Sequence, residues 1–303
     1  MSYKVIAVVG PTAVGKSDVG VKLAQLFDGE IINGDSVQVY KELNIGSAKV
    51  TQEEMGGIPH HLLDYKNVGD DYSVQQFQHD ARAEIEEIVS RGKLPIIVGG
   101  TGLYIKALLY DYSFTKIETE LNEYEEESTE ELYARLLRLD PKATEVIHPN
   151  NRRRIVRALQ MAESGNLKSE QEAEQKHEQI YDAYIVGLTM DRNLLRERIN
   201  KRVDLMFENG LLDEVTELND KYDWNMHGLH GIGYKEFRDY FLGNMTLEET
   251  REIIKTHTRQ FAKRQYTWWN NQMPVKWYDV TKEGYLEEIT NDIEEWYREK
   301  ETD

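Results

Sequence analysis

The first hundred residues alternate between two kinds of apolar spacing. Val5 to Val9 is an unbroken aliphatic run, the pattern of a strand buried on both faces. Ser17 to Phe27 reads as a helix and Glu30 to Asn33 as a second strand. Val74, Phe77, Ala81, Ile85 and Ile88 then recur at helical spacing in a segment from Ser73 to about Ser90, which Ser73 and Gln76 open as a capping box. Leu94 to Val98 makes a third strand, ended by Gly99-Gly100, and another helix is predicted to start near Thr101. Strands separated by helices in this rhythm build a parallel sheet, whose ligand sites lie beyond the carboxyl ends of its strands. The loops after Val9, Asn33 and Val98 are therefore where chemistry is expected.

From about Phe114 to Tyr181 the pattern becomes helical, highly charged and almost free of strand signals, with Pro141 and Pro149 as punctuation. Tyr184 to Met190 returns as a buried strand, and a helix is predicted from Asp191 through Met206. Thr246 with Glu249 opens a long final helix, and Val275 to Val280 is a last strand. No internal repeat is visible. The expected fold is α/β, a three-layer core around a central parallel sheet with an inserted helical subdomain: core over 1–113 and 181–303, insertion over 114–180.

Composition narrows this further. The 303 residues are 40% hydrophobic with 21 Gly and 6 Pro, enough for a packed core. Cysteine is absent, which excludes disulfides, thiolate catalysis and Cys-type metal sites, so any metal must use O or N ligands. No apolar run approaches a membrane span or a signal peptide, and the chain is read as cytoplasmic, with no membrane association and no evident need of an obligatory protein partner. The net charge of −18 argues against coating nucleic acid through an overall field but leaves room for a local basic groove. The acid is concentrated in a block holding Glu118, Glu120, Glu123, Glu125, Glu126, Glu127, Glu130 and Glu131, and in the tail from Glu287 to Asp303, both expected to be solvated.

Gly10-Pro11-Thr12-Ala13-Val14-Gly15-Lys16-Ser17 fits the phosphate-loop pattern G-x-x-x-x-G-K-[ST], between a strand and a helix as its mechanism requires. Loop N–H groups and the helix dipole surround phosphate oxygens, Lys16 adds a positive charge, and the Ser17 hydroxyl can ligate Mg²⁺. This gives the core its P-loop NTPase-like character. A bare nucleotidase is disfavoured, because the strand Leu94 to Val98 ends in glycines and Thr101 instead of a Mg²⁺-positioning acid. Asp35 is the carboxylate nearest in topology to the phosphate loop. It reads either as a turn-forming residue of Asn33-Gly34-Asp35-Ser36 or as a general base facing a transferable group.

At these residues the chain resembles the tRNA dimethylallyltransferases, also called tRNA isopentenyltransferases. The resemblance is carried by GPTAVGKS at 10–17, IINGDSVQVYKELNIGSAK at 31–49, HHLLD at 60–64, VGGTGLYIKALL at 98–109, HPN at 148–150, RERINKRVDLMFENGLLDEV at 196–215, IGYKE at 232–236 and QFAKRQYTWW at 260–269. It implies that the phosphate loop holds dimethylallyl diphosphate and that the prenyl group passes to the exocyclic 6-amino group of the adenosine 3′ of the anticodon, in tRNAs reading U-initial codons. It implies Asp35 as the base or orienting acceptor, Thr101 near the diphosphate bridge, and Arg202 on the departing diphosphate. It also assigns the anticodon stem-loop to Asp35, Ser36, Val37 and Gln38, to Arg153, Arg154 and Arg157, and to the segment around Gly233 and Lys235.

The residue types suit that chemistry. A carboxylate on the N–H of an adenine amine improves a poor nucleophile, and cations oppose the charge gathering on diphosphate. Arg198 and Arg202 share a helix face and read equally as solvated arginines. Two basic clusters suit RNA: Arg152, Arg153, Arg154 and Arg157, and the stripe Arg251, Lys255, Arg259, Lys263. His60-His61 and His227/His230 are read as non-metal, and at least one of Trp268-Trp269 as core. Two other readings stand beside the resemblance: a small-molecule kinase with ATP in the loop and Asp35 as base, and a nucleotide-gated RNA-binding switch.

Overall fold

Six strands form one all-parallel sheet: Lys4–Val9 (β1), Gly29–Asn33 (β2), His60–His61 (β3), Leu94–Val98 (β4), Asp182–Thr189 (β5) and Lys276–Asp279 (β6), in the order β3-β2-β4-β1-β5-β6. The computed structural model describes residues 2–114, 124, 126–174 and 178–298. Sequence patterning located every strand but β3, whose two residues pair with Ile31 and Ile32 and are too few to carry any periodicity. The unbroken aliphatic runs of β1 and β4 are central, in register Ile6 to Ile96 and Val8 to Val98, and buried on both faces.

Helix α1 (Lys16–Leu26) lays Val19, Val21 and Leu23 on one sheet face, in a cluster with Ile6, Val8, Ile96 and Leu188. A Cβ at Gly20 would fall 2.5 Å from Val98, so α1 sits close on β4 through that glycine. Helix α2 (Val74–Ser90) has the expected capping box, Ser73 with Gln76, and buries Phe77, Ala81, Ile85 and Ile88. It packs on β2 and β4 and against α3 (Gly102–Leu109).

The chain divides into two compact units, 1–109 with 179–303, and 110–178. The second holds α4 (Thr129–Leu139), α5 (Pro141–Val146), α6 (Arg152–Glu163) and α7 (Lys168–Glu174) around its own core of Leu132, Leu136, Ile155 and Leu159. After β5 the first unit continues with α8 (Arg192–Glu208), α9 (Leu211–Lys221), α10 (Phe237–Phe241), α11 (Leu247–Gln272) and α12 (Tyr285–Arg298). Asp191 caps α8 on the N–H groups of Asn193 and Leu194, and Thr246 with Glu249 caps α11.

One charge expectation needs correction. The acidic tail is not a purely solvated block: α12 buries Ile289 and Ile293 in the sheet cluster, and Asp292 accepts from Tyr278 and pairs with Lys276, so acid alternates with an apolar stripe. In the other block Glu126, Glu130 and Glu131 are exposed, as expected, with Glu131 completing a capping box with Ser128, while Glu127 is half-buried and pairs with Arg135 at 2.9 Å. Glu118, Glu120, Glu123 and Glu125, and residues 299–303 of the tail, lie outside the described residues. Among the described residues no helix is long and apolar enough to cross a membrane.

Candidate active site

The carboxyl ends of β1, β2 and β4 open on a common edge, and the predicted loops meet there. The phosphate loop takes left-handed backbone at Ala13 and Gly15, with φ of 65° and 106°. At Gly10, φ is 139° and a Cβ would lie 2.6 Å from the Leu188 carbonyl of β5, so no larger residue fits. Gly15 is the N-cap of α1 and supplies no side-chain bond, which leaves the first N–H groups of the helix for a ligand. Lys16 Nζ donates to the Pro11 carbonyl at 2.8 Å. Burial pushes the Lys16 amine down to about 8, with Asp35 opposing the shift and Arg202 adding to it.

A cavity of about 670 Å³ runs along this loop, lined by Lys16, Ser17, Asp35, Glu54, Arg202 and Gln265 among others. A second, of about 340 Å³, is lined by Ser36, Val37, Thr101, Gly233 and Lys235. The two share Thr12, Ala13, Asp35, Ser47, Arg202, Met206 and Phe261 as walls. Asp35 and Arg202 thus stand where the larger space along the phosphate loop joins a smaller one with room for a small planar group.

Both readings of Asp35 hold at once. Its Oδ1 accepts from the N–H of Val37 at 2.9 Å and, more weakly, of Gln38 at 3.4 Å, which makes the turn. Its other carboxylate oxygen has no partner among the described residues, and the side chain walls both cavities. Thr101 Oγ1 accepts from Ser36 N–H at 3.1 Å, so the loops after β2 and β4 are tied together beside it. Thr101 itself lines the second cavity. Arg202 makes no hydrogen bond or ion pair among the described residues. Burial lowers its pKa while Asp35 and Glu54 pull the other way, the electrostatic position of a cation held for an anion. Arg198 is exposed, and its Nη1 lies 3.5 Å from the Val14 carbonyl.

The remaining predicted contacts divide. Ser36, Val37, Gly233 and Lys235 line the second cavity. Gln38 lines the first, and its amide donates to the Ser47 and Ala48 carbonyls at 3.1 Å, so it also holds the neighbouring loop. Arg153, Arg154 and Arg157 lie exposed on α6 in the helical unit. Arg152 does not belong with them: it donates to the Glu127 and Tyr124 carbonyls and fastens that unit's own backbone.

The basic stripe on α11 is likewise a correction. Lys255 pairs with Asp204 at 2.7 Å, Arg259 donates to Asn200 at 2.6 Å, and Arg251 stacks over Phe207, so three of its four cations bind α11 to α8. Trp269 is buried, as expected of one of the tryptophan pair, and Trp268 packs on the backbone of Gly102. His61 bonds Glu30 and Glu84, and His227 bonds Asp71.

Among the described residues no group of three or more His, Asp or Glu is placed to hold a metal unaided. The donor set does fit an ion that shares its ligands with a diphosphate: the exposed Ser17 hydroxyl lines the first cavity with Asp18, Asp35 and Glu54.

Gln265 was not singled out as a site residue. From α11 it accepts the Thr12 N–H at 2.8 Å and donates to the Gly100 carbonyl at 3.0 Å, joining the phosphate loop to the loop after β4. Its spacing of one turn from Phe261 was visible, but nothing in the local sequence says which face of α11 looks into the cavity.

The family model for IPP transferase matches residues 38–272. A tRNA dimethylallyltransferase of Anoxybacillus flavithermus is 48% identical over 297 residues, 97% of this chain and 96% of that protein. The crystal structure of the tRNA isopentenylpyrophosphate transferase of Bacillus halodurans superposes with a TM-score of 0.77 at 41% identity, covering 100% of this chain and 99% of that one. A eukaryotic dimethylallyltransferase acting on tRNA gives a TM-score of 0.84 at 31% identity, covering 97% of this chain and 80% of that one.

Proposed function

Because the chain belongs to the IPP transferase family, we propose that it transfers a dimethylallyl group from dimethylallyl diphosphate to the exocyclic 6-amino group of the adenosine 3′-adjacent to the anticodon of tRNAs reading U-initial codons, in the cytoplasm. The observation that carries this reading is the sharing of Asp35 and Arg202 by a phosphate-loop cavity and a second cavity beside it. A donor and an acceptor entering from the two spaces would meet at those side chains. The relatives give the kinase alternative no support.

The diphosphate lies on the N–H groups of residues 10–17, with Lys16 and Arg202 on its oxygens. The Ser17 hydroxyl would hold Mg²⁺. When bound, the ion adds neutralising charge to the leaving group. The adenine, flipped from the loop, enters the second cavity beside Ser36, Val37 and Lys235. Its amine donates to Asp35, nitrogen attacks the allylic carbon as the carbon–oxygen bond breaks, and the bonding pair leaves on diphosphate. The amine proton passes to Asp35. Thr101 contacts the bridge oxygen near the reacting carbon. Leaving-group stabilisation is the larger contribution, since a delocalised amine gains little from a weak base unless the allylic carbon is already electron-poor. The helical unit, proposed as residues 114–180, holds the anticodon stem through Arg153, Arg154 and Arg157.

Incubation with an anticodon stem-loop and either prenyl-labelled dimethylallyl diphosphate or γ-labelled ATP tests the reading. Prenyl label on the RNA is expected. Phosphate label, or none, rejects it.

A further inference from the structure

Part of the second cavity's wall is loop backbone, Gly46 and Ser47 from one segment and Gly231 to Gly233 from another. The segments touch main chain to main chain: at Gly233, with φ of 98°, a Cβ would lie 2.8 Å from the Gly46 carbonyl. The Tyr234 ring packs against Gly46 and Val37 against Gly231, and the backbone N–H groups of the two segments are fixed from behind as well.

Two carboxylates outside the cavity lining do this. Glu214 of α9 accepts from the N–H groups of Asn44, Ile45 and Gly46 at 3.0, 2.8 and 3.1 Å, and from the Tyr234 hydroxyl at 2.8 Å. That hydroxyl in turn accepts the Ser47 N–H at 3.1 Å, so one carboxylate holds both segments. Glu236, with 2% of its side chain exposed, accepts the Gly233 N–H at 2.9 Å and bonds His257 Nδ1 of α11 at 2.7 Å. A carboxylate buried so far from solvent is costly unless its bonds hold something in place.

We propose that Glu236 is a positioning residue that shapes the acceptor-base pocket and so governs capture of RNA rather than capture of the prenyl donor, whereas Glu214, whose partners Asn44 and Ile45 line the first cavity, steadies both spaces. The proposal rests on the function argued above. It predicts a split between the two substrates that a general loss of stability would not produce.

The test is steady-state kinetics on the full chain with both substrates varied, together with amide hydrogen exchange over 44–47 and 231–235. Glu236→Ala is expected to raise KM for the anticodon stem-loop about tenfold while KM for dimethylallyl diphosphate stays within about twofold. Glu236→Gln is expected to return the RNA value to within about threefold of wild type, because its amide oxygen can accept from Gly233 while its other end still faces His257 Nδ1. Glu214→Ala is the contrast: it also frees Asn44 and Ile45 of the first cavity's lining and is expected to raise both KM values. If either alanine variant fails to fold, His257→Ala, which removes one partner and leaves the Gly233 bond, should raise the RNA KM alone by a smaller factor. Exchange over 231–235 should speed up about tenfold in Glu236→Ala, and exchange over 44–47 should speed up in Glu214→Ala. Equal shifts in both KM values of Glu236→Ala, or none in its RNA value, overturn the proposal. A wild-type chain that moves no prenyl group to RNA overturns the functional reading instead, and the exchange measurement then decides separately whether the carboxylates hold the wall.

Discussion

Lys16 carries its charge where charge is disfavoured, and that sets a pH window. With its amine pushed down to about 8, the side chain is cationic below that value and increasingly neutral above it. Diphosphate affinity should therefore be constant toward neutral pH and weaken as pH rises through 8, and a bound anion should draw a proton back onto the amine. Titration calorimetry from pH 7 to 9.5 in buffers of differing ionisation enthalpy checks this: net proton uptake near pH 8.5 is expected in wild type. Lys16→Arg should remove the Lys16 share of that uptake and keep affinity, and Lys16→Met should bind weakly throughout. At Asp35 the informative change is to Asn, not Ala. Asn can still accept the Val37 N–H and keep the turn, but it cannot take a proton from the amine. Asp35→Asn should lower kcat by about 10²- to 10⁴-fold with RNA affinity within about threefold, measured by single turnover and by anisotropy. Equal losses of rate and affinity would assign Asp35 to the turn alone.

At the scale of elements, what the sequence discloses is what is local. The capping boxes at Ser73/Gln76 and Thr246/Glu249 lie within one helical turn, and both form as read. The phosphate loop is legible because its glycines and lysine act through their own backbone. The α11 stripe misled because four cations at helical spacing look alike whether they face solvent or Asp204, Asn200 and Phe207 of α8. Gln265 was hidden for the same reason, its partners lying 253 and 165 positions away. That bridge makes α11 a strut for the donor site. Gln265→Leu leaves the buried Gly100 carbonyl and the half-buried Thr12 N–H without these bonds, so it should cost about 1–3 kcal/mol of stability. Diphosphate affinity should fall in parallel. Urea unfolding with and without ligand measures both, and unchanged stability would remove the strut.

For the whole molecule the question is how a chain of net charge −18 holds a polyanion. Concentration answers it: cations count where phosphates sit, and acid more than a Debye length away is screened at physiological salt. The structure reduces the supply, since Arg152 and most of the α11 stripe are spent on internal bonds. Arg153, Arg154 and Arg157 remain exposed on α6. If these three meet stem phosphates, each released counterion contributes about 0.7 to 0.9 to the slope of log affinity against log salt, and replacing all three by Gln should flatten that slope by roughly 2 to 3. Anisotropy titrations of a labelled stem-loop between 50 and 300 mM salt, roughly the range over which such slopes are linear, would read it. KM for dimethylallyl diphosphate should be untouched, because Lys16, Arg202 and the phosphate loop belong to the other compact unit. Arg152→Gln is the control: it should loosen the helical unit by freeing the Tyr124 and Glu127 carbonyls while leaving the salt slope nearly as it was. A triple variant with an unchanged slope would move the RNA contact off α6 and onto the cations around the second cavity, Lys235 and Arg264.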